Sequence, residues 1–341
     1  MMSTIFPMMC RDASVRCWNS YYYPLDHSQP TPMTFKGMDV VSVRDLSREQ
    51  IEQVLDLAQK MVPYAKGEKT TKILDGKILA NLFFEPSTRT RLSFESAMSR
   101  AGGRCIEIAQ PLTSSTVKGE TLADTIRMVD CYSDAIVLRH PHEGAARLAA
   151  HFSSNPVINA GDGAGQHPTQ TLLDLFTVKQ QSGDFNGKNV VMVGDLKYGR
   201  TVHSLAEALA MFGADLTFVA PSLLQMPRET VRHLEKAGVS AKLSSNLESV
   251  IAEADVLYVT RIQKERFPDP AEYQKVAGCY RVDNALLREA KKNLVIMHPL
   301  PRVDEIAPEV DDTENAKYFV QAFNGVPVRM ALLSLVMGGE I

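Results

Sequence analysis

The chain has 341 residues, 45% hydrophobic and 23% charged, which is enough for two packed cores. Its net charge of −3, from 37 Lys+Arg against 40 Asp+Glu, excludes a broad electrostatic pull on nucleic acid or acidic membrane, so any anion site must be local. The cysteines Cys10, Cys17, Cys105, Cys131 and Cys279 form neither a CxxC pair nor zinc spacing, which argues against a disulfide framework and suits a reducing compartment.

Residues 1–32, with YYYP at 21–24, scattered Pro, Met and Cys and no apolar period, read as an accessory or disordered N-terminal extension. Three readings fit it: a transit peptide, weakened by Asp12 and Asp26; a mobile tail; or a start set too early, with Met33 the true beginning. From Ser42 onward helical and strand signals alternate. SREQIEQVLDLAQKM predicts an amphipathic helix with Ser47 as N-cap and Ile51, Val54, Leu55 and Ala58 on one face. Strand-like runs follow at 77–84, 104–109, 134–139 and 156–160, then, after a helix at 168–180, at 189–195, 215–220, 255–260 and 293–297. The intervening segments are long enough to cross over as helices, so both sheets should be parallel.

The predicted class is α/β, with two similar domains, each a parallel sheet flanked by helices. The first should span 33–167 and the second 168–324, with a C-terminal helix at 325–341, spaced by Met330, Leu333 and Val336, returning to the first domain. That run reads as core. No stretch approaches the ~20 apolar residues of a membrane span.

The stretch FEPSTRTRLSFESAM (84–98) leaves a predicted strand and enters a helix with Phe94, Ala97, Met98 and Ala101 on one face, ending at Gly102-Gly103. Ser87, Thr88, Arg89 and Thr90 therefore sit at a helix N-terminus on the carboxyl edge of a sheet, where free N–H groups, hydroxyls and a guanidinium make an anion cradle. A second strand exit, GDLKYGRT (194–201), departs from the GxxxxGK[ST] phosphate loop by placing Arg200 where lysine should stand, and a guanidinium fork suits a carboxylate better.

FEPSTRTR, KGETLADT (118–125), LRHPHEGAAR (138–147), NAGDGAGQHPTQTLLDLFT (159–177), GDLKYGRTVHS, TRIQKER (260–266) and HPLPR (298–302) occur in this order. Together they resemble the aspartate carbamoyltransferase catalytic-chain family, over about residues 34–341. Ornithine-specific relatives carry HCLP where this chain has His298-Pro299-Leu300-Pro301 and lack Lys118, so the differences select aspartate. The resemblance implies carbamoyl transfer from carbamoyl phosphate to L-aspartate in pyrimidine synthesis, in the cytoplasm, with no cofactor and no metal. A carbamoyltransferase for another amino acid and a non-catalytic relative are the alternatives.

By the same resemblance, Ser87, Thr88, Arg89 and Thr90 hold the phosphate. Arg139, His167 and Thr90 point at the carbamoyl oxygen, Gln170 takes its amide, and the carbonyls of Pro299 and Leu300 face the carbamoyl amide and the amine. Lys118, Arg200, Thr201, Arg261, Gln263 and Arg329 receive aspartate. Glu85 is expected to pair with Arg200 and Arg266 when the domains close. Ser114 and Lys118 are expected to enter a neighbouring subunit's site in a homotrimer, although Val117 departs from relatives that carry a second lysine there. A separate regulatory chain would fit the family; nucleic-acid and membrane partners would not.

Overall fold

The structure, a computed structural model, describes residues 34–108, 119–263, 267 and 269–339. Helix α1 (Arg48–Lys66) begins at the expected Ser47, whose hydroxyl accepts from the Gln50 N–H while the Gln50 side chain accepts from the Ser47 N–H. Its apolar stripe, Ile51, Val54, Leu55 and Ala58, is fully buried, as the periodicity predicts.

The first sheet comprises β1 (Ile78–Phe83), β2 (Arg104–Ile108), β3 (Ala135–His140) and β4 (Val157–Asp162), in the order β2-β1-β3-β4. The crossovers carry α2 (Thr88–Arg100), α3 (Leu122–Asp130) and α4 (Ala145–Phe152). Helix α5 (Pro168–Ser182) leads to the second sheet, β5 (Asn189–Val193), β6 (Asp215–Val219), β7 (Ala241–Ser244), β8 (Val256–Val259) and β9 (Val295–Met297), in the order β7-β6-β5-β8-β9. Its connections hold α6 (Arg200–Met211), α7 (Arg228–Lys236), α8 (Pro270–Gln274) and α9 (Asn284–Leu287), and α10 (Tyr318–Met337) closes the chain. All pairings between named strands are parallel.

Central strands are buried on both faces, which is why they read as unbroken apolar runs. Strand β7 escapes that reading because it is an edge: Lys242 and Leu243 of AKLS are exposed. Helix α5 is polar by composition yet buried from Pro168 to Val178 except at half-buried Gln170, because it packs on α1, α10 and β4 and on α6 and β9. It joins the layers of the two sheets.

Helix α10 has the length and hydropathy of a membrane span, but it packs against α1, α2 and α5 and most of it is buried, so its apolarity is that of a core helix. It starts at Tyr318, earlier than its apolar spacing suggests. Because Leu332 is fully buried in this contact, Leu332→Ala should destabilise the protein by about 2–5 kcal/mol. The check is a lowered urea midpoint with an unchanged slope.

Candidate active site

The carboxyl ends of the strands deliver three helix N-termini to one edge: α2, α5 and α6. At the first, Ser87 is the N-cap in extended conformation and its hydroxyl makes no bond to the helix, so the N–H groups of the first turn keep their capacity for an outside acceptor. Thr90 is buried in this turn. Partial burial, and then the charge of Arg139, lower the pKa of Arg89, which places these two guanidiniums within electrostatic reach.

Gly161 fixes the centre. It lies at the end of β4 with φ 116°, and a Cβ there would stand 2.8 Å from Arg139 Nη1 and 2.9 Å from Arg200 Nη2. A guanidinium from β3 of the first sheet and one from the first residue of α6 therefore meet at a single backbone CH₂. Arg139 is held by Glu85 Oε1 at 3.1 Å and donates to the Ala160 carbonyl at 3.1 Å. Arg200 donates to the Gly163 carbonyl. The GDGAGQ loop keeps its shape through buried Asp162, whose carboxylate accepts from Asn159 Nδ2 and Gln166 N–H at 2.9 Å each and from Gly144 N–H at 2.9 Å.

Behind this pair stand His167 and Arg329, both buried. Burial first, then the charges of Arg200, Arg139 and Arg329, hold the His167 imidazole well below its ordinary 6.5, so it is neutral. A neutral imidazole among cations can donate a hydrogen bond to a developing oxyanion without adding a further charge. Arg329 of α10 donates to Thr169 Oγ1 at 3.3 Å and lies over the Phe94 ring at 4.8 Å. Burial pushes its pKa down to about 9, with Asp174 opposing.

Beneath lies a network whose centre, Asp174, sequence reading did not single out. Buried Asp174 accepts from Gln170 Nε2 at 2.8 Å, Gln321 Nε2 at 2.7 Å and the Tyr258 hydroxyl at 2.8 Å. Gln321 Oε1 in turn accepts the His298 N–H at 2.8 Å, and His298 Nδ1 accepts the Leu300 N–H at 2.8 Å. The proton on this ring is thus at Nε2, facing Glu305 at 2.7 Å. These bonds hold Leu300 at φ 56°, a conformation that β-carbon residues rarely adopt. The available signal was a lone carboxylate inside the apolar run TLLDLF.

Of the expected site residues, Arg89, Arg139, His167, Arg200 and Arg329 are brought together, with Ser87, Thr88 and Thr90 at the α2 terminus beside them. Gln170 and the 298–300 turn join through Asp174 and Gln321. Thr201 neighbours the Tyr258 hydroxyl. Arg261 and Gln263 are half-buried just past β8, and a Cβ on Gly194 would meet the Thr260 carbonyl at 2.2 Å, so the exits of β5 and β8 touch. Glu85 pairs here with Arg139. Ser114, Lys118 and Arg266 lie outside the described residues.

Residues 38–180 match the aspartate/ornithine carbamoyltransferase carbamoyl-P binding domain, and residues 186–336 match the Asp/Orn binding domain of the same family. The chain is 58% identical over 310 residues to the aspartate carbamoyltransferase catalytic subunit of Methanocella arvoryzae, covering 91% of this chain and 100% of that one. Among solved structures it is similar to the catalytic subunit of M. jannaschii aspartate transcarbamoylase, at 51% identity and TM-score 0.82, covering 88% of this chain and 98% of that one. It is also similar to Trypanosoma cruzi aspartate transcarbamoylase solved with carbamoyl aspartate and phosphate, at 41% identity and TM-score 0.84, covering 89% and 97%.

Gly161→Ala should displace both guanidiniums at once and weaken binding of inorganic phosphate about 10- to 100-fold, as expected for lost charged hydrogen bonds and measurable by calorimetry. The pH dependence of stability follows from the imidazoles. His167 and His298 both titrate below 6.5, so the stability of their neutral forms is complete above that value and is lost as the pH falls through the lowered pKa. The melting temperature should therefore fall more steeply below pH ~6 in the parent than in His167→Gln.

Proposed function

The chain belongs to the aspartate/ornithine carbamoyltransferase family, and we propose that it transfers the carbamoyl group of carbamoyl phosphate to the amino group of L-aspartate, giving N-carbamoyl-L-aspartate and phosphate. The observation that carries this reading is the meeting of Arg139 and Arg200 at Gly161, beside the open N-terminus of α2. Carbamoyl phosphate and aspartate together bring about four negative charges, and unit charges ~4 Å apart repel by about 4 kcal/mol at an effective dielectric near 20, so several fixed cations are needed in one cleft.

The α2 terminus, with Ser87, Thr88, Arg89 and Thr90, receives the phosphate. Arg139, Thr90 and neutral His167 donate to the carbamoyl oxygen as aspartate nitrogen attacks, stabilising the negative charge that builds there. Gln170 and the carbonyls of Pro299 and Leu300 face the carbamoyl NH₂. The carboxylates of aspartate fall to Arg200, Thr201, Arg261, Gln263 and Arg329. The departing phosphate takes the proton from the attacking amine. Sheet membership supports a division into a carbamoyl phosphate-binding part, 33–167 completed by 325–341, and an aspartate-binding part, 168–324. On closure Glu85 exchanges Arg139 for Arg200 and Arg266, which would exclude water from the reacting groups.

The reading extends to a cytoplasmic homotrimer in which Ser114 and Lys118 complete the neighbouring subunit's site. It places the reaction in pyrimidine synthesis.

Phosphate release, followed with carbamoyl phosphate and either aspartate or ornithine, tests the reaction: turnover is expected with aspartate alone. His167→Ala should lower kcat about 10²- to 10³-fold, the effect of removing one oxyanion donor, while calorimetry still detects phosphate binding. An unchanged kcat would refute its role. For the shared site, an equimolar mixture of Lys118→Ala and His167→Ala chains, dissociated and reassembled, should regain about one quarter of the parent activity, the share of sites that draw both intact residues from different chains. No recovery would refute it.

A further inference from the structure

Asp174 is buried beneath the site, hydrogen-bonded to Gln170, Gln321 and Tyr258 and within electrostatic reach of Arg329. It is acceptor-only when ionised, and two glutamine amides donate to the same oxygen: Gln170 Nε2 at 2.8 Å and Gln321 Nε2 at 2.7 Å from Oδ1. The bond to Asp174 turns the nitrogen end of each amide toward Oδ1 and its oxygen end away from it. Gln170, in the first turn of α5, is half-buried, and its oxygen end is turned away from Asp174. Gln321 presents its own to the His298 N–H, which sets the turn carrying the carbonyls of Pro299 and Leu300.

We propose that Asp174 is a positioning residue that sorts both amides, so that three acceptor oxygens, from Gln170, Pro299 and Leu300, meet the acyl group and select a donor bearing NH₂ over one bearing CH₃. This rests on the reading of the site as one for carbamoyl phosphate and adds the origin of its acyl selectivity. The role needs an acceptor at Oδ1, not a negative charge. In Asp174→Asn, Oδ1 can serve both glutamines while Nδ2 donates to Tyr258, whose hydroxyl turns from donor to acceptor; its present bond to Oδ2 is 2.8 Å. With Tyr258→Phe added, Nδ2 loses that acceptor and turns toward the glutamines, reversing them.

The experiment measures binding of carbamoyl phosphate and of acetyl phosphate, its methyl isostere, by calorimetry. Asp174→Leu and the double variant Asp174→Asn/Tyr258→Phe should each lower the preference for carbamoyl over acetyl phosphate about 10- to 100-fold, the effect of losing a buried acceptor. Asp174→Asn and Tyr258→Phe alone should keep it within about threefold. The assignment is overturned if Asp174→Leu weakens both ligands equally, or if the double variant discriminates like the parent. The double variant is near-isosteric and decides the matter if Asp174→Leu does not fold. Because donor binding is read rather than turnover, failure of the parent protein to carbamoylate aspartate would overturn the proposed function separately.

Discussion

Guanidinium groups repel one another, and the arrangement depends on holding several of them at one point before any anion arrives. Every one of the buried or half-buried arginines at the centre is tethered by a partner of opposite or neutral character. Arg139 has Glu85 and the Ala160 carbonyl, Arg200 the Gly163 carbonyl, and Arg329 the Thr169 hydroxyl and the face of Phe94. These tethers fix direction more than they neutralise charge. The cleft is left with unspent positive potential, the property that makes a preorganised site stronger than the same groups in water.

The α/β architecture supplies the geometry cheaply. Parallel strands end on one edge and the helices that follow begin there, so helix N-termini and strand-end side chains converge without any special loop design. Close approach of the two layers at that edge requires small residues. Gly161 admits two guanidinium heads, and Gly194, at φ 120°, admits the Thr260 carbonyl. The loop between β4 and α5 is rich in glycine because it runs between these crowded groups, with Gly163 packed on the Pro141 carbonyl at 2.7 Å from where a Cβ would be.

Much of this was legible in the sequence. Central strands and amphipathic helices announce themselves because burial on two faces, or on one stripe, dictates their pattern; Leu79 to Phe83 and the stripe of α1 are examples. The cradle at Ser87 to Thr90 was visible because three hydroxyls and an arginine together at a strand exit have little packing use. What stayed hidden was long-range partnership. Nothing local in TLLDLF says that Asp174 will meet Gln321, 147 positions away, and nothing in FEPSTRTR says that Glu85 will rest on Arg139. Edge strand β7 was hidden for the opposite reason, since exposure leaves it little apolar signature.

The packing of α10 on α1, α2 and α5 also has a bearing on how the polypeptide is made. Helix α10 covers elements synthesised well before it, with the whole second sheet emerging in between. At roughly 5–20 residues/s the early apolar surface waits on the order of ten to fifty seconds for its cover. During biosynthesis α1 and α2 therefore keep an uncovered apolar face until α10 has been made.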